Sequence, residues 1–196
     1  MARITFDGKH TDASTNKLTT IDYEHHEVHD GNMFSCHYNQ QTTDIADRSI
    51  IAFTTPAEKE IHMVVHVAAT AAANFYILEG ATGTTAGATD LTVFNRDRNS
   101  SKTSELTSID GTEGSVSYYS LTTDTAITGG TELWEEYIGA GKIGQATAGS
   151  SRGANEWILK KSTVYDIELK AVDANDNDQL VELTWYEHTN KLGGTR

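Results

Sequence analysis

The sequence predicts an all-β fold: an antiparallel β-sandwich of about eight to ten strands, jelly-roll-like, with long loops and at most a short helix. Three observations carry this expectation. Apolar residues recur with period two through most of the chain, which marks strands with one buried face. The strand-like runs are short, about five to nine residues each. The connections between them are rich in Gly, Asn, Asp and Thr, with 16 glycines and 1 proline in 196 residues, a composition that suits tight turns.

Taken in order, residues 1–20 are polar and weakly patterned. Arg3, Ile4, Thr5 and Phe6 form their only strand-like run, so this segment is expected to be an N-terminal arm. A single domain follows over 21–196. IDYEHHEVHDG, at 21–31, reads as a strand ending in an Asp30-Gly31 turn, with MFSCHY as its hairpin partner. RSIIAFTT and EIHMVVHV come next; in the latter Ile61, Met63, Val65 and Val67 share a face opposite His62, Val64 and His66. NFYILEG, LTVFNR, GSVSYYSL and NEWILK are further strands. GATGTTAGATD, at 80–90, is too small and polar to pack as an element. A long excursion runs from about Thr122 to Ala154. Within it TELWEEYI spaces Leu133, Trp134, Tyr137 and Ile138 as a helix would, predicting one or two helical turns. VYDIELKAV and QLVELTWYEH are expected to pair as a hairpin across DANDND. The predicted core includes Val65, Val67, Ile167, Leu169, Leu183 and Trp185.

Composition narrows the function. Net charge is −13 and the 15 basic residues are scattered, which disfavours nucleic-acid binding through backbone neutralisation. An anionic membrane surface would repel the chain as well. No run reaches the ~18 apolar residues of a membrane span, and the N-terminus lacks the apolar stretch of an export signal. The single cysteine, Cys36, excludes an internal disulfide framework and a multi-cysteine zinc site. Assembly in a reducing cytoplasm is the default.

Several motifs tempt and fall short. GAGKIG, at 139–144, has the spacing of a dinucleotide loop but no strand–loop–helix context. GSSRG, at 149–153, has that of a nucleophile elbow, again without the βαβ setting. DANDND, at 173–178, imitates a calcium loop but carries Asp178 where glycine is needed; a turn fits better. His62 and His66, on a strand, stand too far apart to share one metal. The stretch at 23–29 is the strongest metal candidate, because a strand places His25, Glu27 and His29 on one face. A cupin-like enzyme would use such a set with a further ligand such as His188 or His37. The turn signal beside it favours a structural role, and no metal or other cofactor is expected.

Four segments together resemble a family of tailed-bacteriophage virion proteins: YEHHEVHDG at 23–31, NRDRNSS at 95–101, LWEEYIGAGK at 133–142, and 156–190. The resemblance covers about a third of the chain and brings no catalytic set with it. It implies a non-enzymatic structural component, of the head decoration or cement type, on the capsid surface of a virion assembled in the host cytoplasm. It further implies a homotrimer whose partner is the major capsid protein. Under that reading Arg3, Ile4, Thr5 and Phe6 in the arm, and Trp134 and Tyr137 in the excursion, are the interface candidates. Two other readings stand beside it. One is a tail, fibre or carbohydrate-binding jelly-roll module, stacking sugars on Tyr118, Tyr119, Trp134, Tyr137, Trp157 or Tyr186. The other is the cupin-like metalloenzyme.

Overall fold

A computed structural model describes residues 23–83, 86–121, 127–139, 146–148 and 156–189. The arm with Arg3, Ile4, Thr5 and Phe6 lies outside the described residues, as do GSSRG and all of GAGKIG but Gly139. One helix, α1 (Tyr23–His29), precedes the strands β1 (Met33–Thr42), β2 (Arg48–Thr54), β3 (Glu60–Ala69) and β4 (Ala73–Glu79). Next come β5 (Thr82–Gly83), β6 (Thr89–Thr92), β7 (Phe94–Asn95), β8 (Ser115–Leu121) and β9 (Ile127–Thr128). The chain continues through β10 (Thr131–Ile138), β11 (Ala146–Ala148), β12 (Trp157–Leu159), β13 (Val164–Ala171) and β14 (Asn177–His188). No described helix is long and apolar enough to cross a membrane.

These strands form two antiparallel sheets, so the all-β sandwich holds. The first is ordered β11-β3-β14-β1-β7, with β12 also on β3; the second is β10-β4-β13-β2-β8-β6. The pairings are nested: β1 with β14, β2 with β13, β3 with β11 and β12, and β4 with β10. That nesting is one long antiparallel ribbon rolled up on itself, the jelly-roll arrangement. The β6–β8 strands are added to it between β4 and β10, and β5 with β9 makes a separate two-stranded ribbon.

Period-two alternation fills the space between the sheets. Of the six residues expected inside, Val65 is 7% exposed and the other five 1% or less. They share one core cluster with Phe34, Phe53, Phe75 and Tyr165. Cys36 is buried in the same layer, and burial pushes its thiol far up from its ordinary range, leaving it inert.

Three sequence expectations are corrected. The stretch 23–29 is a helix rather than a strand, so MFSCHY has no hairpin partner there. The Asp30-Gly31 turn is real, but it ends a helix: Asn32 N donates to Glu27 O and Gly31 N to Val28 O, with Gly31 at φ +68°. This paired closure is a Schellman motif. Lys102 Nζ and Asn95 Nδ2 then satisfy the carbonyls of Asp30 and Gly31.

The second correction concerns TELWEEYI, which forms strand β10 rather than a helix. A bulge between Glu132 and Trp134 breaks its alternation, and the added residue gives the sequence its helix-like spacing.

Third, β13 and β14 are not a hairpin. They lie in opposite sheets and contribute Ile167 and Leu169, Leu183 and Trp185 to the core from its two sides. DANDND is the crossing between them. Its Asn177, fully buried, accepts from the amides of Thr70 and Ala71, pinning this crossing to the β3–β4 crossing.

One buried carboxylate has neither oxygen paired among the described residues. Asp166 on β13 points away from the main core yet is 0% exposed, and neither carboxylate oxygen has a hydrogen-bond partner among the described residues. Burial first, then repulsion from Glu168, raises its pKa well above the usual carboxylate range, against the pull of Arg48. The native state therefore holds this proton to higher pH than the unfolded chain, and stability falls as pH rises between the two values.

Three outcomes are expected. Leu169→Ala costs ~2–5 kcal/mol in reversible denaturant unfolding, as for a fully buried leucine. Gly31→Ala costs at least ~1–2 kcal/mol, because φ is left-handed and a Cβ there overlaps the Ser100 side chain. Asp166→Asn melts higher than the parent at pH 7, by about 2–4 °C for each kcal/mol regained; thermal scans at successively lower pH show the gap closing toward the unfolded-state pKa.

Candidate functional site

The most chemically dense surface lies on the outer face of the first sheet, where β3, β14 and β12 meet. Alternation turns Ile61 and Met63 into the core and leaves Glu60 and His62 outside. On β14 it turns Trp185 inward and Tyr186 and His188 outward. The β3–β14 register sets Tyr186 opposite His62 and His188 opposite Glu60, so four functional side chains share one small patch.

Its geometry is tight. His62 Nε2 lies 2.9 Å from His188 Nε2. His62 Nδ1 lies 2.9 Å from Tyr186 Oη and 3.4 Å from Glu156 Oε2, the latter just ahead of β12. His188 Nδ1 is 3.0 Å from the carbonyl oxygen of Thr189. The His62 and Tyr186 rings stack at 4.5 Å and 15°. Ligand atoms of Glu60, His62 and His188 all fall within 4.8 Å of one another. Burial pushes the His62 pKa down, and the Glu156 carboxylate partly offsets that.

A buried carboxylate fixes the strand beneath. Glu187, 1% exposed, accepts from Trp185 Nε1 at 3.0 Å, Ser104 Oγ at 2.6 Å and the Glu105 amide at 3.0 Å. Lys59 Nζ approaches the same carboxylate at 3.6 Å. A buried charge is tolerable when its lone pairs are filled in this way.

The metal candidate set at 23–29 is dispersed. On α1, His25 and His29 are one turn apart on the exposed side, their Nε2 atoms 2.8 Å from each other. Glu27 is fully buried and accepts from Asn32 Nδ2 at 2.8 Å. The strand face that was to join His25, Glu27 and His29 does not exist, because the segment is helical, and the cupin-like reading loses its ligand set. His188, the further ligand considered for that set, stands beside His62 instead. His37 is exposed on β1, opposite Glu182. His62 and His66 do not converge; His66 Nδ1 faces Glu182 at 3.5 Å.

Trp134 and Tyr137 sit on β10, the terminal strand of the second sheet among the described residues, and are 46% and 65% exposed. They project to opposite faces of the strand. Trp134 lies opposite Ile77 and meets Trp157 edge-on at 6.5 Å, so it also caps the seam between the sheets. Tyr137 lies opposite Asn74 on the other face. Of the other aromatics considered as sugar platforms, Tyr119 and Tyr186 are buried and Tyr118 packs against Tyr38, ring centres 4.4 Å apart and tilted by 30°.

Glu60 and Glu156 escaped the sequence reading. Outward parity was the available signal for His62 and His188, but nothing in the sequence says that β3 and β14 are neighbours. Comparison of the chain with protein-family models, with curated proteins and with solved structures returned no match.

Proposed function

We propose that the chain is a non-enzymatic structural protein of a tailed-phage virion: a head decoration protein, trimeric, that binds the major capsid protein on the outer shell and staples its neighbouring subunits. The quoted segments resembling virion proteins motivate the reading. The observation that carries it structurally is the β10 edge. Among the described residues β10 pairs only with β4, and a sheet edge of this kind offers unpaired backbone groups to an added strand; Trp134 and Tyr137 flank it on its two faces. A segment laid along β10 would touch both rings, the kind of aromatic anchor on which interface energy concentrates. Glu132, Glu135 and Glu136 line the same strand. Their like charges oppose pairing of two β10 edges from copies of this chain, so the partner that fits is a shell subunit presenting basic groups.

The sugar-binding alternative is weaker on the same geometry. Two rings on opposite faces of one strand do not make a single stacking platform. The arm, residues 1–20 with Arg3, Ile4, Thr5 and Phe6, is assigned to the shell as well, with Arg3–Phe6 proposed as a strand added to it. Linked contacts of this kind gain from avidity even when each is modest.

The test is co-sedimentation with phage heads lacking the protein. Wild type is expected to saturate heads and to behave as a trimer by light scattering. Tyr137→Ala, altering an exposed ring, should melt as the parent does and bind heads at least ~10-fold more weakly. Removal of residues 1–20 should leave a folded domain that no longer decorates; unchanged affinity would remove the arm from the interface. Protein found only on tails, or not on particles at all, overturns the reading.

A further inference from the structure

We propose that Glu60, His62 and His188 form a binding site for a first-row divalent transition ion, with zinc the ion that fits best. This goes beyond the virion reading and does not rest on it.

The hydrogen-bond pattern admits a cation between the two imidazoles. A backbone carbonyl only accepts, so the contact from His188 Nδ1 to Thr189 O places the proton on Nδ1 and leaves Nε2 as a lone pair aimed at His62. His62 Nδ1 has the Glu156 carboxylate at 3.4 Å. When Nδ1–H donates there, His62 Nε2 is a lone pair too. In that tautomer two lone pairs face each other across 2.9 Å, and a positive centre between them satisfies both. A proton fills that place when Tyr186 Oη donates to His62 Nδ1 instead, for then His62 Nε2–H donates to His188. The cation and the proton are competing occupants of the same gap.

The rest of the arrangement fits a cation. Glu60 supplies an oxygen, completing two imidazoles and a carboxylate, a donor set that suits zinc and its neighbours rather than calcium or magnesium, which prefer oxygen throughout. Glu156 stands behind His62 as the outer carboxylate that commonly orients a metal-bound histidine. Metal–nitrogen bonds of ~2.0–2.1 Å in a tetrahedron set the nitrogens ~3.3–3.4 Å apart, so the pair must open by about half an ångström. His188 stands at the strand end, half-buried, where a small rotation supplies this. His62 is held by its stack on Tyr186. The backbone beneath is fixed, since Ile61, Met63 and Trp185 are 1% exposed or less. Three protein ligands leave one position for water.

Full-length untagged protein, stripped with a chelator, is titrated with Zn²⁺ by equilibrium dialysis and with Co²⁺ by visible absorption. The expected result is one saturable ion per chain, a tetrahedral Co²⁺ spectrum, and a melting temperature that rises with free Zn²⁺ as binding to the native state requires. His188→Ala and Glu60→Gln should each weaken binding at least tenfold while the melting curve without metal stays cooperative. Excess Mg²⁺ should not displace the ion. The double variant His25→Ala/His29→Ala, which removes the other close histidine pair, should bind like the parent. The proposal falls if no saturable uptake occurs, if both His188→Ala and Glu60→Gln bind as tightly as the parent, or if binding disappears with His25 and His29.

Discussion

Strand β14 holds the first sheet together. It lies between β1 and β3, and its ladder spans ten residue pairs on each side. Both partners, β1 and β3, precede it by more than a hundred residues in the chain. These pairings join segments far apart in sequence, and loop-closure entropy opposes each of them until the apolar faces meet. What compensates is burial along the same strand: Val181, Leu183 and Trp185 are all fully buried. The inward and outward sides of β14 therefore have distinct tasks, stability on one and chemistry on the other.

This division explains what the sequence revealed. Which residues of a strand face inward depends only on alternation, a local property, and it was legible in Val65, Ile167, Leu183 and Trp185. Which strand lies beside which depends on the path of the whole chain. VYDIELKAV and QLVELTWYEH look like a hairpin because a short polar connection joins two alternating runs. The same pattern arises when the second run crosses to the opposite sheet and presents its apolar face to the first. Asn177 marks the difference, since a hairpin tip would leave it in water, whereas here it is buried and bonded to the β3–β4 crossing. Glycine misled in a similar way. Gly31 supplies a left-handed residue, which a tight hairpin and a helix C-terminus both use. The bulge in β10 concealed a strand by lending it helical spacing.

The candidate site was less legible than the core for the same physical reason. His62 and His188 are 126 residues apart in sequence, and only the β3–β14 register brings them together. The cluster that drew attention at 23–29 was dense in sequence, but helical geometry sends Glu27 into the protein and His25 and His29 outward. Local crowding of ligand types is a weak guide to convergence when the element type is uncertain.

A site at the end of a strand ordinarily suffers from fraying, since terminal residues lose pairing first. Here the last turn of alternation opposes that tendency. His188 points outward from the residue next to Glu187, whose carboxylate is bonded from within by Trp185, Ser104 and Glu105. Opening the strand end would strip a buried charge of these donors, a far larger cost than the loss of one ladder hydrogen bond. The inner glutamate thus holds the outer histidine against His62, and the exposed chemistry of this face inherits its rigidity from an ionic group that no solvent reaches.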